Sequence, residues 1–297
     1  MGWRIVYIEE SDYITSYLDN LQVKRENNKI NIPFSDIHSL IIDNYKSVLS
    51  VQLINKCAAN NINVVICGID HMPHSFIYPV SGQNLAPKIL KQQIAWTKDI
   101  KDDLHKQIIQ GKIENQIQVL VANEKDQFTI DHLTKFQSEV LLGDKTNREG
   151  LSAKMYFRSL FGVDFIRFKD DVINHALNYG YSILRSQISK VLISKGLNTS
   201  LGLFHRNPEN EFNLSDDVIE VFRPIVDHYV YNNISKSEAL TREHRINLIK
   251  LTTKKMRYRK ENHTFLNVIN LYVSNILDYI NDKTHELLMP KFKDYDI

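Results

Sequence analysis

Near residue 80 the spacing of apolar residues changes from two to 3.6, and no other feature of the sequence constrains its fold as tightly. Before that point come short runs rich in β-branched and aromatic residues: WRIVYI (3–8), DYITSYL (12–18), LQVKR (21–25), KINIPF (29–34) and HSLIID (38–43). Turn residues such as Asp19-Asn20 and Asn27-Asn28 separate them, as expected of consecutive strands. SVLSVQLINKCAANN (47–61) has helical spacing, NVVIC (63–67) returns to strand, and FIYPV (76–80) adds one more. After the turn cluster SGQNLAP (81–87), amphipathic helical stretches cover 87–111, 112–124, 128–143, 149–161, 170–195, 215–234, 238–257 and 263–283. The reading is an α+β chain. A small N-terminal β-rich domain with one packed helix, residues 1–82, precedes a larger all-α domain, residues 88–297.

Composition agrees. Only 10 of 297 residues are glycine, against an average usage of about 7%, which favours helix over loop-rich β structure. The net charge of +2 means that nucleic acid could be held only by local basic patches. Two cysteines, Cys57 and Cys67, provide no disulfide framework, so a reducing cytoplasm is the expected setting. MGWRIVYIEE alternates like a strand and turns acidic, which argues against a signal peptide, and Val6 stands where myristoylation needs a hydroxyl residue. No apolar run approaches the ~18 residues of a membrane span, so no membrane partner is expected.

The helical half carries polar residues in unexpected places. In TNREGLSAKMYFRSLFG (146–162), Glu149 heads a face shared with Ala153, Tyr156, Phe157 and Leu160. A carboxylate there needs a positive partner. In GLNTSLGLFHRN (196–207), Gly196 suits a left-handed C-cap and an apolar run leads into His205, for which a core histidine bonded to a carbonyl is the preferred reading when it is taken alone. In LSDDVIEVFRPIVDHYV (214–230), Ser215 reads as an N-cap and Asp216 as a dipole cap. Val218, Phe222, Ile225 and Tyr229 form an apolar stripe, with Asp217, Glu220 and Asp227 along one edge and Pro224 expected to kink the helix. Glu220 could simply pair with Arg223. Two carboxylates and an imidazole nevertheless make a donor set for Mg²⁺ or Mn²⁺, although the spacings of 56 and 15 residues identify no metal by themselves.

NREGLSAKMYF, NYGYSILRS (178–186), GLNTSLGLFH and DDVIEVFRPIVD resemble, in that order, the signature segments of the CRISPR-associated integrase family, the larger and catalytic subunit of the spacer-acquisition complex. That family also joins an N-terminal β domain to a C-terminal helical one, and the GWR opening and length look most like its type II branch. The resemblance places the metal ligands and catalytic residues on Glu149, His205 and Glu220, where many relatives carry aspartate at the last position, and gives Asp217 a supporting role. It implies a homodimer that works with a small second subunit on double-stranded DNA, namely short fragments and the CRISPR repeat. The implied reaction is attack of a fragment's 3′-hydroxyl on a phosphodiester at the repeat end, for which the three ligands are expected to converge on Mg²⁺ or Mn²⁺.

Such a substrate calls for basic contacts. TREHRINLIKLTTKKMRYRKENH (241–263) offers Arg242, Arg245, Lys254, Lys255, Arg257, Arg259 and Lys260, while Arg148, Arg206 and Arg223 lie beside the proposed ligands. A solvated helix end is the competing account of the basic run, and a core aromatic is the preferred account of Tyr179. Cys67, His71 and His74 in ICGIDHMPHS suggest zinc but lack a clear fourth ligand. Two other functions fit the same residues: a stand-alone structure-selective endonuclease, and a non-catalytic DNA-binding scaffold with structural carboxylates.

Overall fold

All six residues of β5 (Ile37–Ile42) are buried, the mark of a strand covered on both faces. It lies between β1 (Arg4–Ile8) and β7 (Asn63–Cys67), parallel to both, and β8 (Pro73–Ile77) closes the far edge in antiparallel sense. A second sheet has the order β4 (Asn28–Pro33), β3 (Asn20–Arg25), β2 (Tyr13–Tyr17), β6 (Val48–Leu49). The helix α1 (Val51–Ala59), capped by the Ser50 hydroxyl on the Leu53 N–H, contributes Leu53 and Cys57 to one core with Ile14, Leu21, Leu40, Ile42 and Val64. The computed structural model describes residues 4–10, 13–25, 28–79 and 85–296. The expected turn at Asn27 and most of the cluster 81–87 fall outside them.

The chain divides into two units, residues 1–89 with 193–197 and residues 90–192 with 198–297. Helix α2 (Ala86–Ile94) runs from one into the other. The second unit is built on α3 (Lys98–Ala122), contacted by α4 (Gln127–Ser138), α5 (Arg148–Phe161), α7 (Asn213–Ile219) and α8 (Arg223–Asn233). Then follow α6 (Val172–Ser194), α9 (Arg242–Leu251) and α10 (Phe265–Asn281).

Four expectations need correction. The break placed at 111/112 lies at 95–97, where Thr97 caps α3, and Gly111 stays helical with Met289 lying 3.0 Å from where a Cβ would stand. The helix expected over 215–234 is two, because Pro224 falls in the first turn of α8 rather than kinking a continuous helix. Ser215 is inside α7, bonded to Ser189, not an N-cap. The helix expected over 238–257 stops at Leu251, and the second unit is not all-α. Lys255–Tyr258 (β9) and Glu261–Thr264 (β10) form a hairpin, with Met256 and Tyr258 buried, Lys255 and Arg257 exposed, and Arg259 and Lys260 in the turn at positive φ.

The last residues strap this unit together. The Asn115 side-chain amide donates to the Val221 and Pro290 carbonyls and its oxygen accepts from the Phe292 N–H, while Asn275 bonds Glu286 and Leu288 in the same way.

Candidate metal centre

Glu149 is placed by the cap of its own helix. The Asp144 carboxylate accepts from the backbone N–H groups of Arg148 and Glu149 at 2.8 and 2.9 Å, and Asn147 accepts from Gly150. The first turn of α5 is thereby fixed, and a negative side chain there suits the helix dipole. Ser152, Tyr156 and Leu160 bury the inward face one turn apart, so Glu149 points along the same side of the helix.

The positive partner that such a carboxylate needs is Lys112, on the buried middle of α3. Its Nζ lies 2.7 Å from Glu149 Oε1 and 2.5 Å from Glu220 Oε2. Glu220 sits in the break between α7 and α8, and its other oxygen is 2.9 Å from Arg223 Nε. Arg223 is itself held from behind, its guanidinium 4.6 Å from the centre of the Tyr181 ring, whose hydroxyl donates to buried Asp227. Burial alone would push the Glu220 carboxyl up, but Arg223 and Lys112 outweigh it and hold the group down at about 2. Burial would likewise strip Lys112 of its proton; Glu149 and Glu220 reverse that and keep it charged.

His205 comes from the loop between α6 and α7. Asp217 organises that loop: its Oδ2 accepts from the N–H groups of Leu203 and Phe204, and its Oδ1 from the His205 N–H at 3.1 Å. His205 Nδ1 is 2.7 Å from the same Oδ1, and since a carboxylate can only accept, Nδ1 carries a proton and Nε2 holds the lone pair whenever the ring is neutral. This bond raises the His205 pKa against the effect of burial. Gly202 is required here, because a Cβ would lie 2.4 Å from the His205 carbonyl oxygen and 2.9 Å from Asp217 Oδ2. The Gln93 amide ties the loop down further, bonding Asn198 and Leu201. His105 stacks on Phe204 with ring centres 4.0 Å apart, and burial lowers its pKa. A cavity of about 400 Å³, lined in part by Lys101, His205, Arg206 and Asn210, opens beside the loop.

The structure therefore brings Glu149 and Glu220 onto one cation and sets His205 within electrostatic reach of Glu220, each favouring the other's charged form. It does not close the three into a cage, since their ligating atoms are not all within 4.8 Å of one another. The donor set fits a divalent ion. Glu220 Oε2 is buried, and the ammonium of Lys112 is the cation that meets it. Among the described residues one set does meet that distance, Glu9, Asp43 and His71 in the first unit. His71 turns to Asp43 and His74 to Asp70, while Cys67 is buried, so the residues considered for zinc do not come together.

The family model for the CRISPR-associated protein Cas1 matches residues 6–258. The chain belongs to the Cas1 family. The CRISPR-associated endonuclease Cas1 of Neisseria meningitidis serogroup C (strain 8013) is 30% identical over 292 residues, 97% of this chain and 95% of the relative. Among solved structures, a casposase bound to integration product superposes with a TM-score of 0.78 at 22% identity, over 100% of this chain and 95% of that one. The Cas6-RT-Cas1–Cas2 complex contains a chain with a TM-score of 0.75 at 17% identity, covering 97% of this chain and 36% of that one. These likenesses establish the fold that Cas1 proteins share with a casposase.

The basic residues of this Cas1 family member separate by burial. Arg242, Lys255, Arg257, Arg259, Lys260 and Arg206 are exposed and Lys254 is half-buried. Arg245 is buried, with its guanidinium on the Leu240 carbonyl. Arg148 bonds Glu139 at 2.9 Å, and Arg223 serves Glu220. Sequence reasoning misses Lys112, His105 and Asp144. Lys112 and His105 lie on the buried part of α3 together with other polar residues, Asn115 and Gln116, so neither stands out there, whereas Asp144 has a signal in its place just before the helix start.

Proposed function

We propose that the protein is a metal-dependent DNA integrase of CRISPR adaptation that inserts short DNA fragments into the repeat array by 3′-hydroxyl transesterification. One observation carries this reading: the carboxylates of α5 and of the α7–α8 break meet on one buried lysine, with an oriented imidazole within electrostatic reach. Glu149, Glu220 and the Nε2 of His205 would hold Mg²⁺ or Mn²⁺, and Asp217 fixes the tautomer that leaves Nε2 free to bind. A bound ion of this kind lowers the pKa of the attacking hydroxyl and neutralises charge on the transferring phosphate. Arg223 anchors Glu220, so that only one of its oxygens remains to be shared. No side chain has to act as a covalent nucleophile.

The fold shared with a casposase bound to integration product supports strand transfer, and the fold shared with a chain of a complex containing Cas2 supports a small second subunit. The meningococcal relative supports the type II branch. We place the protein in the cytoplasm as a homodimer, with the exposed Lys255, Arg257, Arg259 and Lys260 of the hairpin and Arg206 beside the cavity on the DNA backbone. Because relatives bear the name endonuclease, cutting of branched DNA is the second reading. Incubation with 3′-hydroxyl DNA, a repeat-bearing plasmid and Mn²⁺, with and without the second subunit, decides between them. Joined product is expected, and cleavage without joining would favour the endonuclease.

A further inference from the structure

Lys112 stands where the proposed function needs a divalent ion. Arg223 occupies Glu220 Oε1, so Oε2 is the oxygen left for an ion, and that oxygen is the one Lys112 touches. Glu149 offers Oε1 to the same ammonium. A magnesium-sized ion draws its oxygens in to ~2.0–2.1 Å, which leaves no room for an ammonium between the same two atoms and adds repulsion between like charges. The two cations of the site are also held differently. Arg223 is braced by Tyr181, whereas the ammonium of Lys112 ends a flexible four-carbon stem and, among the described residues, meets only the two carboxylates.

We propose that Lys112 is a displaceable place-holder: it holds Glu149 and Glu220 together before metal arrives and must swing away from at least one of them for the ion to bind. The inference rests on the metal-centre reading above and adds a role for a residue outside the ligand set. Lys112 compensates the buried Glu220 and the half-buried Glu149, two carboxylates that would otherwise repel each other. It also competes with the ion, so metal affinity is set below what the bare carboxylates would give.

This arrangement makes substitutions at one position act in opposite directions. K112Q removes the competing charge, and Mn²⁺ binding is expected to tighten by about tenfold or more, as loss of a unit charge a few ångströms away implies. K112R keeps the charge in a rigid fork that grips carboxylates more firmly, and binding is expected to weaken. A purely structural role for Lys112 would weaken binding in both.

The measurement is Mn²⁺ titration of the full-length protein followed by the paramagnetic resonance of free Mn²⁺, with circular dichroism to confirm folding. The wild type, K112Q, K112R and E149Q are compared. Tighter binding by K112Q and weaker binding by K112R are the expected results; K112Q binding no better than wild type overturns the proposal. E149Q tests the underlying reading separately, because Mn²⁺ affinity unchanged there would remove the metal centre itself. Crystals of the wild type soaked in Mn²⁺ give the same answer without a variant. Lys112 Nζ is expected beyond hydrogen-bond reach of at least one carboxylate, and an ammonium still seated on both beside a bound ion would end the idea.

Discussion

Asp217 uses both carboxylate oxygens on a single loop, accepting from three consecutive backbone N–H groups and from the His205 ring. D217N places an NH₂ group against N–H donors, and each buried donor left without a partner costs about 1–3 kcal/mol. Faster amide exchange at Leu203, Phe204 and His205, with a lower unfolding midpoint, is the expected outcome; unchanged exchange would mean that the Gln93 contacts hold the loop unaided. Asp227 makes a different prediction. Burial pushes its carboxyl up to about 7, despite the Tyr181 hydroxyl and the nearby Arg223. The native state then binds more protons than the unfolded chain between the unfolded value near ~3.9 and about 7. Stability contributed by this group is therefore present at low pH and lost as pH rises through that window. D227N is expected to flatten that slope in urea titrations taken at pH 5 and pH 8. At this scale the sequence marks Glu149, His205, Asp217 and Glu220, each a polar group in an apolar setting. It does not mark Lys112, which shares the buried part of α3 with His105, Asn115 and Gln116 and so is not a lone polar group in an apolar setting.

Between α9 and α10 the local pattern misleads, and the cause is physical. Residues 254–260 hold charges close enough to continue a helix on paper, but exposure alternates at every second residue from Lys255 to Tyr258, the period of a strand. The turn residues Arg259 and Lys260 adopt positive φ without a glycine, so the usual hairpin signal is missing. The triple variant R257E/R259E/K260E is expected to fold normally and to reduce the salt dependence of DNA binding by about 0.9 in log–log slope for each phosphate no longer neutralised. An unchanged slope would clear the hairpin of any role in holding DNA. The α6–α8 crossing gives a second test. A Cβ on Gly180 would lie 2.5 Å from Val226 Cγ1. Gly180→Ala is expected to lose about 1–3 kcal/mol from overpacking, more than the ~1 kcal/mol of helix propensity it gains. A urea midpoint at or above wild type would refute that.

For the molecule as a whole, the change of period near residue 80 announces strands followed by helices, and that order holds apart from α1 and the β9–β10 hairpin. What periodicity cannot announce is that Ile193–Leu197 groups with the first unit, since that depends on residues far apart in the chain. With a net charge of only +2, the DNA affinity of the proposed integrase must reside in local basic patches. H205A is accordingly expected to abolish joining while leaving DNA binding within about twofold, as no phosphate-neutralising charge is removed; loss of both would indicate a folding role. The strap formed by the C-terminal residues has an effect on timing. Asn115, one turn from Lys112, completes its bonds only with Pro290 and Phe292, and its third bond reaches Val221, next to Glu220. Until those late residues have been synthesised, the helix that faces both carboxylates has a buried amide without its partners. A chain halted before Pro290 is thus expected to hold α3, and with it Lys112, less firmly, so that the proposed centre takes its final shape only as synthesis nears its end.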